Sequence, residues 1–154
     1  MGQTERLRAS EAGTLLAYVH HILLADDDAD DCQLFNEALE EINIAYKLTT
    51  VRNGEQLMTL LNHQTPLPDI LFLDLNMPRK NGFECLSEIK KSERLHKLPV
   101  IIISTSFEQK IVDQLYQRGA QDYLRKPNEF SKLKSLVAHA ISMTALSRFT
   151  QPAI

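Results

Sequence analysis

Tryptophan is absent from the chain, and cysteine occurs only twice and glycine five times in 154 residues. Cys32 and Cys85 lie far apart and form neither a metal-type nor a redox-type pair, so two reduced thiols in a cytoplasmic protein are expected. No apolar run approaches the ~18 residues needed to cross a bilayer, which leaves no role for a membrane. Basic residues are not in excess: the formal charge is -3. Lysines and arginines are scattered, with no stacking aromatics among them, which argues against nucleic acid as an obligatory partner. An apolar stretch from Leu15 to Ala25 has the hydrophobicity of a signal peptide but not its grammar. Glu5 and Glu11 break the basic region, His20 and His21 interrupt the apolar core, and acids stand where a small-residue cleavage site would be.

What is present is the composition of an ordinary soluble globular protein, 44% hydrophobic and 24% charged, with the length of about one domain. Residues 1–20 are poorly patterned and are expected to form a mobile extension. Residues 21–146 should form the domain, and 147–154 a tail. His21–Ala25 is apolar and too short for a helix, so it reads as a first strand. From Asp30 to Ile42 the apolar residues Leu34, Phe35, Ala38, Leu39 and Ile42 recur at helical spacing. Tyr46–Val51 alternates and is a second strand. Asn53-Gly54 then opens a second helix that buries Leu57, Met58, Leu60 and Leu61, with Pro66 and Pro68 ending it. Strand three, Asp69–Leu73, is nearly all apolar, as expected of a strand covered on both faces.

A loop through Pro78 and Asn81-Gly82 leads to helix three, about Gly82–Ser92, with Phe83, Leu86 and Ile89 inward. Strand four is Val100–Ile103. Helix four, about Glu108–Arg118, turns in Ile111, Val112 and Leu115 and is capped by Gly119. Strand five is Gln121–Leu124. Helix five runs from Glu129 to about Met143, with Phe130, Leu133, Leu136, Val137 and Ile141 on one side. Strict alternation of strand and helix implies an α/β fold with right-handed crossovers and helices on both faces. Five such units fit a flavodoxin-like, doubly wound (βα)5 parallel sheet of order 2-1-3-4-5.

The chemistry-bearing residues stand where those strands end. Asp26, Asp27 and Asp28 follow strand one, Asp74 follows strand three, Ser104 follows strand four, and Lys126-Pro127 follows strand five. In an open parallel sheet these ends share one edge, the edge at which ligands bind. Strands one and three are neighbours in the expected order, so Asp26, Asp27 and Asp74 should converge. Gathered carboxylates raise one another's pKa unless a cation neutralises them. Oxygen ligands together with phosphate oxygens suit Mg²⁺. A carboxylate can also be the nucleophile that forms an aspartyl phosphate, with an ammonium and a hydroxyl satisfying the phosphate oxygens.

In this order, Leu-Ala-Asp26-Asp27-Asp28, Leu-Asp74-Leu-Asn76-Met77-Pro78, Ile-Ser104-Thr105 and Lys126-Pro127 resemble the receiver domain of two-component response regulators, from Ile22 to about Met143. The wording around Asp28 and Ser104 is similar to small stand-alone receivers that partner phytochrome-type or hybrid histidine kinases. The resemblance implies that Asp74 is the phosphoacceptor. It makes Asp27, Asp74 and the backbone carbonyl of Asn76 ligands of Mg²⁺, with Asp26 acting mostly through water. It makes Lys126 the phosphate-binding ammonium, joined to Pro127 by a cis peptide, and Ser104 and Tyr123 the switch pair. The implied partner is a sensor histidine kinase or phosphotransfer protein. Output would pass through the face of helix four, strand five and helix five, for example as a homodimer. The domain would assist its own phosphorylation and dephosphorylation without being an enzyme on another substrate.

Rival readings are weaker. The acidic run could be only a helix start, where Asp is favoured by the dipole. Asp26, Asp28, Asp30 and Glu37 have the spacing of a calcium-binding EF-hand, but Asp31 stands where the loop needs Gly and a strand precedes it. An aspartyl phosphatase or mutase would need a capping domain, and a flavin module would not carry a Gly-poor, Asp-rich first loop. Thr105 and Ser106 compete with Ser104 by one or two residues. Lys126 could be a surface lysine and Tyr123 plain sheet packing. His20, His21, His63, His96 and His139 show no ligand spacing.

Overall fold

A computed structural model describes residues 19–150, the side chains of 19 and 148–150 excepted. Five strands alternate with five helices: β1 (Val19–Ala25), α1 (Ala29–Glu41), β2 (Ala45–Val51), α2 (Gly54–His63), β3 (Ile70–Asp74), α3 (Gly82–Lys91), β4 (Val100–Ser104), α4 (Gln109–Gln117), β5 (Asp122–Arg125) and α5 (Phe130–Thr150). The strands form one sheet of order β2-β1-β3-β4-β5, and every neighbouring pair is parallel. The expected architecture and strand order are therefore both present. Val19 and His20 belong to β1 rather than to an extension; the rest of the expected extension, and residues 151–154 of the expected tail, lie outside the described residues.

The sheet is covered on both faces because its strands are apolar on both. Ile22, Leu24, Ile70, Phe72, Ile101 and Ile103 point to one side and pack with Phe35 and Leu39 of α1 and Val137 and Ile141 of α5. Leu23, Leu71, Leu73, Val100 and Ile102 point to the other and meet Leu57 and Leu61 of α2, Leu86 and Ile89 of α3 and Leu115 of α4. Phe72 is fully buried, with its ring edge-on to Phe35 at 4.9 Å between centroids. Each such side chain contributes about 1.5–3 kcal/mol by leaving water. This core fixes the sheet, and the sheet fixes where the strand tips go.

Local signals set the boundaries. Asp28, Asn53 and Asn81 cap α1, α2 and α3 by accepting the backbone N–H three residues on, at 3.0, 2.8 and 2.9 Å. Glu84 returns the bond to the Asn81 N–H, a complete capping box. α4 ends in a Schellman turn: Gly119 has φ +105°, its N–H reaches the Tyr116 carbonyl, and the Ala120 N–H reaches that of Leu115.

Two expectations about packing are corrected. Leu34 is 42% exposed, because the inward face of α1 is Cys32, Phe35, Ala38 and Leu39, and Leu34 lies to one side of it. Helix α5 passes Met143 and continues to Thr150, since no Gly or Pro interrupts it before Pro152.

Gly54 at the start of α2 lies against the loop before α3. A Cβ there would meet the Lys80 carbonyl oxygen at 2.1 Å and the Lys80 Cβ at 2.5 Å. Backbone cannot yield as a flexible side chain can. Gly54→Ala is therefore expected to lose ~1–3 kcal/mol of stability, read as a lower urea midpoint at unchanged m-value; an unchanged midpoint would contradict the close approach.

Candidate functional site

The register of the sheet brings the acids together. Ala25 pairs with Leu73, so Asp26 and Asp74 leave adjacent strands side by side. Asp26 and Asp74 are buried, and Asp27 at their rim is exposed. One carboxylate oxygen from each of the three lies within 4.8 Å of the others. The acidic run is thereby divided by role. Asp28 is the α1 cap, and its own N–H is held by an Asp26 carboxylate oxygen at 3.0 Å. A strand rather than a helix precedes Asp26, which removes the EF-hand reading.

Lys126 reaches into the same place from the end of β5. Its backbone N–H donates to the Ser104 carbonyl at 2.7 Å, continuing the β4–β5 ladder by one bond. The ammonium donates to Asp26 Oδ2 and Asp31 Oδ2, each at 2.8 Å, and lies 3.8 Å from Asp74 Oδ2. Burial opposes its charge, but the bonds to Asp26 and Asp31 outweigh that and hold its pKa above the ordinary lysine value. Asp74 moves the other way. Burial first, then the negative charge of Asp26, push its pKa up to about 7, against the opposing pull of Lys126 and of the Asn76 N–H. That N–H donates to Asp74 Oδ1 at 3.3 Å.

The donor set fits a hard divalent cation. Three closely spaced carboxylates, with a single ammonium shared among Asp26, Asp31 and Asp74, leave excess negative charge, and oxygen donors of this kind suit ions such as Mg²⁺ or Mn²⁺.

Known proteins share this fold. Residues 22–138 match the family model of the response regulator receiver domain. The chain belongs to the response regulator receiver domain family. It is 34% identical over 137 residues to the response regulator Rcp1 of Synechocystis, covering 86% of this chain and 92% of that protein. Among solved structures, the phosphorylated cyanobacterial phytochrome response regulator RcpA matches with a TM-score of 0.76 and 31% identity, over 88% of this chain and 100% of that one. The Mn²⁺-bound form of Rcp1 matches with a TM-score of 0.72 and 30% identity, over 88% of this chain and 97% of that one. The protein is thus a phosphoacceptor module of two-component signalling, and its donor is a histidine kinase or phosphotransfer protein. Receivers bind a divalent metal, and the donor set of this chain's acidic cluster fits one. No described helix is long and apolar enough to cross a membrane.

The remaining expected residues are placed as follows. Ser104 is the last residue of β4 and fully buried, whereas Thr105 and Ser106 beside it are exposed. Its hydroxyl pairs with that of Ser106 at 3.2 Å. Tyr123 lies in β5, its hydroxyl donating to the Ser106 carbonyl and its ring edge-on to Phe107 at 5.9 Å. Asn76 is exposed in the loop after β3.

One expectation is corrected. The peptide bond found cis is Thr65–Pro66, not Lys126–Pro127. Lys126 meets the carboxylates and the Ser104 carbonyl without a cis bond after it, and trans is the ordinary state of X–Pro. Asp31 was not anticipated as part of the site. Its signal was its place in the first turn of the helix that follows Asp26 and Asp27, where the Asp28 cap holds it by its own N–H.

The raised Asp74 pKa has a consequence for stability. The folded state holds this proton more tightly than the unfolded chain, whose aspartates titrate near 3.9. Without metal, Asp74 therefore costs stability as pH rises from about 4 to about 7, and the full penalty persists above that. Asp74→Asn should melt higher than wild type at pH 8 in chelator, by on the order of 1–3 kcal/mol. The advantage should vanish near pH 4 and narrow when Mg²⁺ is added. Equal melting at pH 8 in chelator would refute the assignment.

Proposed function

We propose that Asp74 accepts the phosphoryl group and that Mg²⁺ is the working metal. The observation that carries this reading is the meeting of Asp26, Asp27 and Asp74 within 4.8 Å, beside a lysine 3.8 Å from Asp74. A carboxylate oxygen of Asp74 attacks the phosphorus of a partner's phosphohistidine in line. The P–N bond breaks, and the imidazole leaves with the electron pair and takes up a proton. Asp27, Asp74 and the Asn76 carbonyl would hold Mg²⁺, with Asp26 bound mostly through water. When bound, the ion neutralises charge on the transferring oxygens. Lys126 binds a second phosphate oxygen and the Ser104 hydroxyl a third. Because the transition state needs little covalent help, holding these groups in place supplies most of the acceleration.

The domain works in the cytoplasm and is not an enzyme on any further substrate. It assists its own phosphorylation and dephosphorylation. The new group brings roughly -1.5 to -2 charge. Ser104 follows it and Tyr123 turns inward, shifting a population between two existing states of the α4–β5–α5 face. Tyr123, hydrogen-bonded to the loop that follows Ser104, is suitably placed to report that loop's position. The output is contact with another protein through that face, a second copy of this chain included.

Asp74→Ala should abolish labelling by acetyl phosphate, and an intact mass that still carries a phosphate adduct would refute the acceptor assignment. Asp27→Ala should weaken Mg²⁺ binding by at least about tenfold, as loss of a direct ligand does, measured by calorimetric titration; an unchanged isotherm would remove Asp27 from the metal site. Phosphorylation should change the mass seen by light scattering or the affinity for the partner. Identical values before and after would exclude the proposed output.

A further inference from the structure

Lys126 has three ammonium protons and more claimants than the phosphate chemistry needs. Two protons are committed at 2.8 Å, to Asp26 and to Asp31. At 3.8 Å the remaining contact, with Asp74, is beyond hydrogen-bond range. The two bonded partners differ. Asp26 is almost fully buried, belongs to the carboxylate triad, and uses its second oxygen to hold the Asp28 N–H. Asp31 is outside the triad, and its side chain is 34% exposed. Its position is set from its own helix: Asp28 caps α1 through the Asp31 N–H, which aims the carboxylate across at β5.

From this geometry we infer that Asp31 is a positioning residue, a releasable counter-ion that keeps the Lys126 ammonium drawn off Asp74 until a phosphoryl group competes for it. The inference rests on the reading of Asp74 as acceptor. The incoming group raises the negative charge at Asp74, and the ammonium must give up one bond to follow it. Asp31 yields because water can replace the lost bond at a part-exposed carboxylate; Asp26 cannot yield without leaving its Oδ2 buried and without that bond, since its other oxygen is already taken by the Asp28 N–H. Asp31 thereby sets how readily Lys126 reaches the transferring group without touching that group itself.

The test compares Asp31→Asn with Asp31→Glu and with Asp30→Asn, which removes the same charge from the exposed neighbouring position. Phosphorylation by acetyl phosphate is followed by intact mass across a Mg²⁺ series. Asp31→Asn should label about two- to fivefold faster at saturating Mg²⁺, as expected for release of a part-exposed ion pair, with the half-saturating Mg²⁺ unchanged. Asp31→Glu should return toward wild type, and Asp30→Asn should match it. In a Lys126→Met background, Asp31→Asn should have no effect on rate. A rate equal to or below wild type, a gain arising wholly from altered Mg²⁺ affinity, or an equal gain without Lys126 would overturn the inference. A second arm needs neither metal nor phosphate. The ¹⁵N resonance of the Lys126 ammonium should shift and its protons exchange faster in metal-free Asp31→Asn than in wild type. An unchanged resonance refutes the counter-ion role, whether or not Asp74 is labelled. Absence of labelling in the wild type alone instead refutes the acceptor reading.

Discussion

Negative charge held against its own repulsion organises this protein. Asp26 and Asp74 are buried at neighbouring strand tips, and among the described residues one ammonium, shared with Asp31, stands beside them. The cluster is costly in water-poor surroundings, and the two hydrophobic layers that clamp the sheet are what hold it together. Burial first and then the charge of Asp26 raise the Asp74 pKa, and the part of the acidic charge left unneutralised suits a divalent cation. Function here is excess charge that the fold does not relax.

The surrounding elements are arranged around that excess. The N–H of Asn76 and the N–H of Asp28 each satisfy an acid of the cluster, and both come from the loops immediately following β3 and β1. The Asp28 side chain then starts α1, so one run of three aspartates supplies a buried acid, an exposed rim acid and a helix cap. On the far side, β4 and β5 deliver Ser104 and Lys126 through a shared ladder bond. Tyr123, two strands away from Asp74, leans on the loop that follows Ser104.

Most of the architecture was legible from the chain because its signals are local. Asp28, Asn53 and Asn81 are side chains that cap the residues just after them, and Gly119 sits where only a positive φ closes the turn. β3 and β4 are apolar at every position, which fits strands covered on both faces. The inward turn of Leu34 failed, because periodicity defines a broad apolar stripe and not which edge of it a neighbouring helix covers. The reach of α5 beyond Met143 was missed because nothing in residues 144–150 marks where a helix stops.

The order of residues by itself determined that acids, a hydroxyl and an ammonium would stand at strand ends, since strand and helix periodicities place those ends. It did not determine which acid would hold the ammonium. Asp31 and Lys126 are 95 positions apart, and their bond exists only because α1 and the end of β5 meet on one side of the sheet. Nor did it assign which X–Pro bond is cis. Separation along the chain carries no information about such contacts; close packing of the layers decides them.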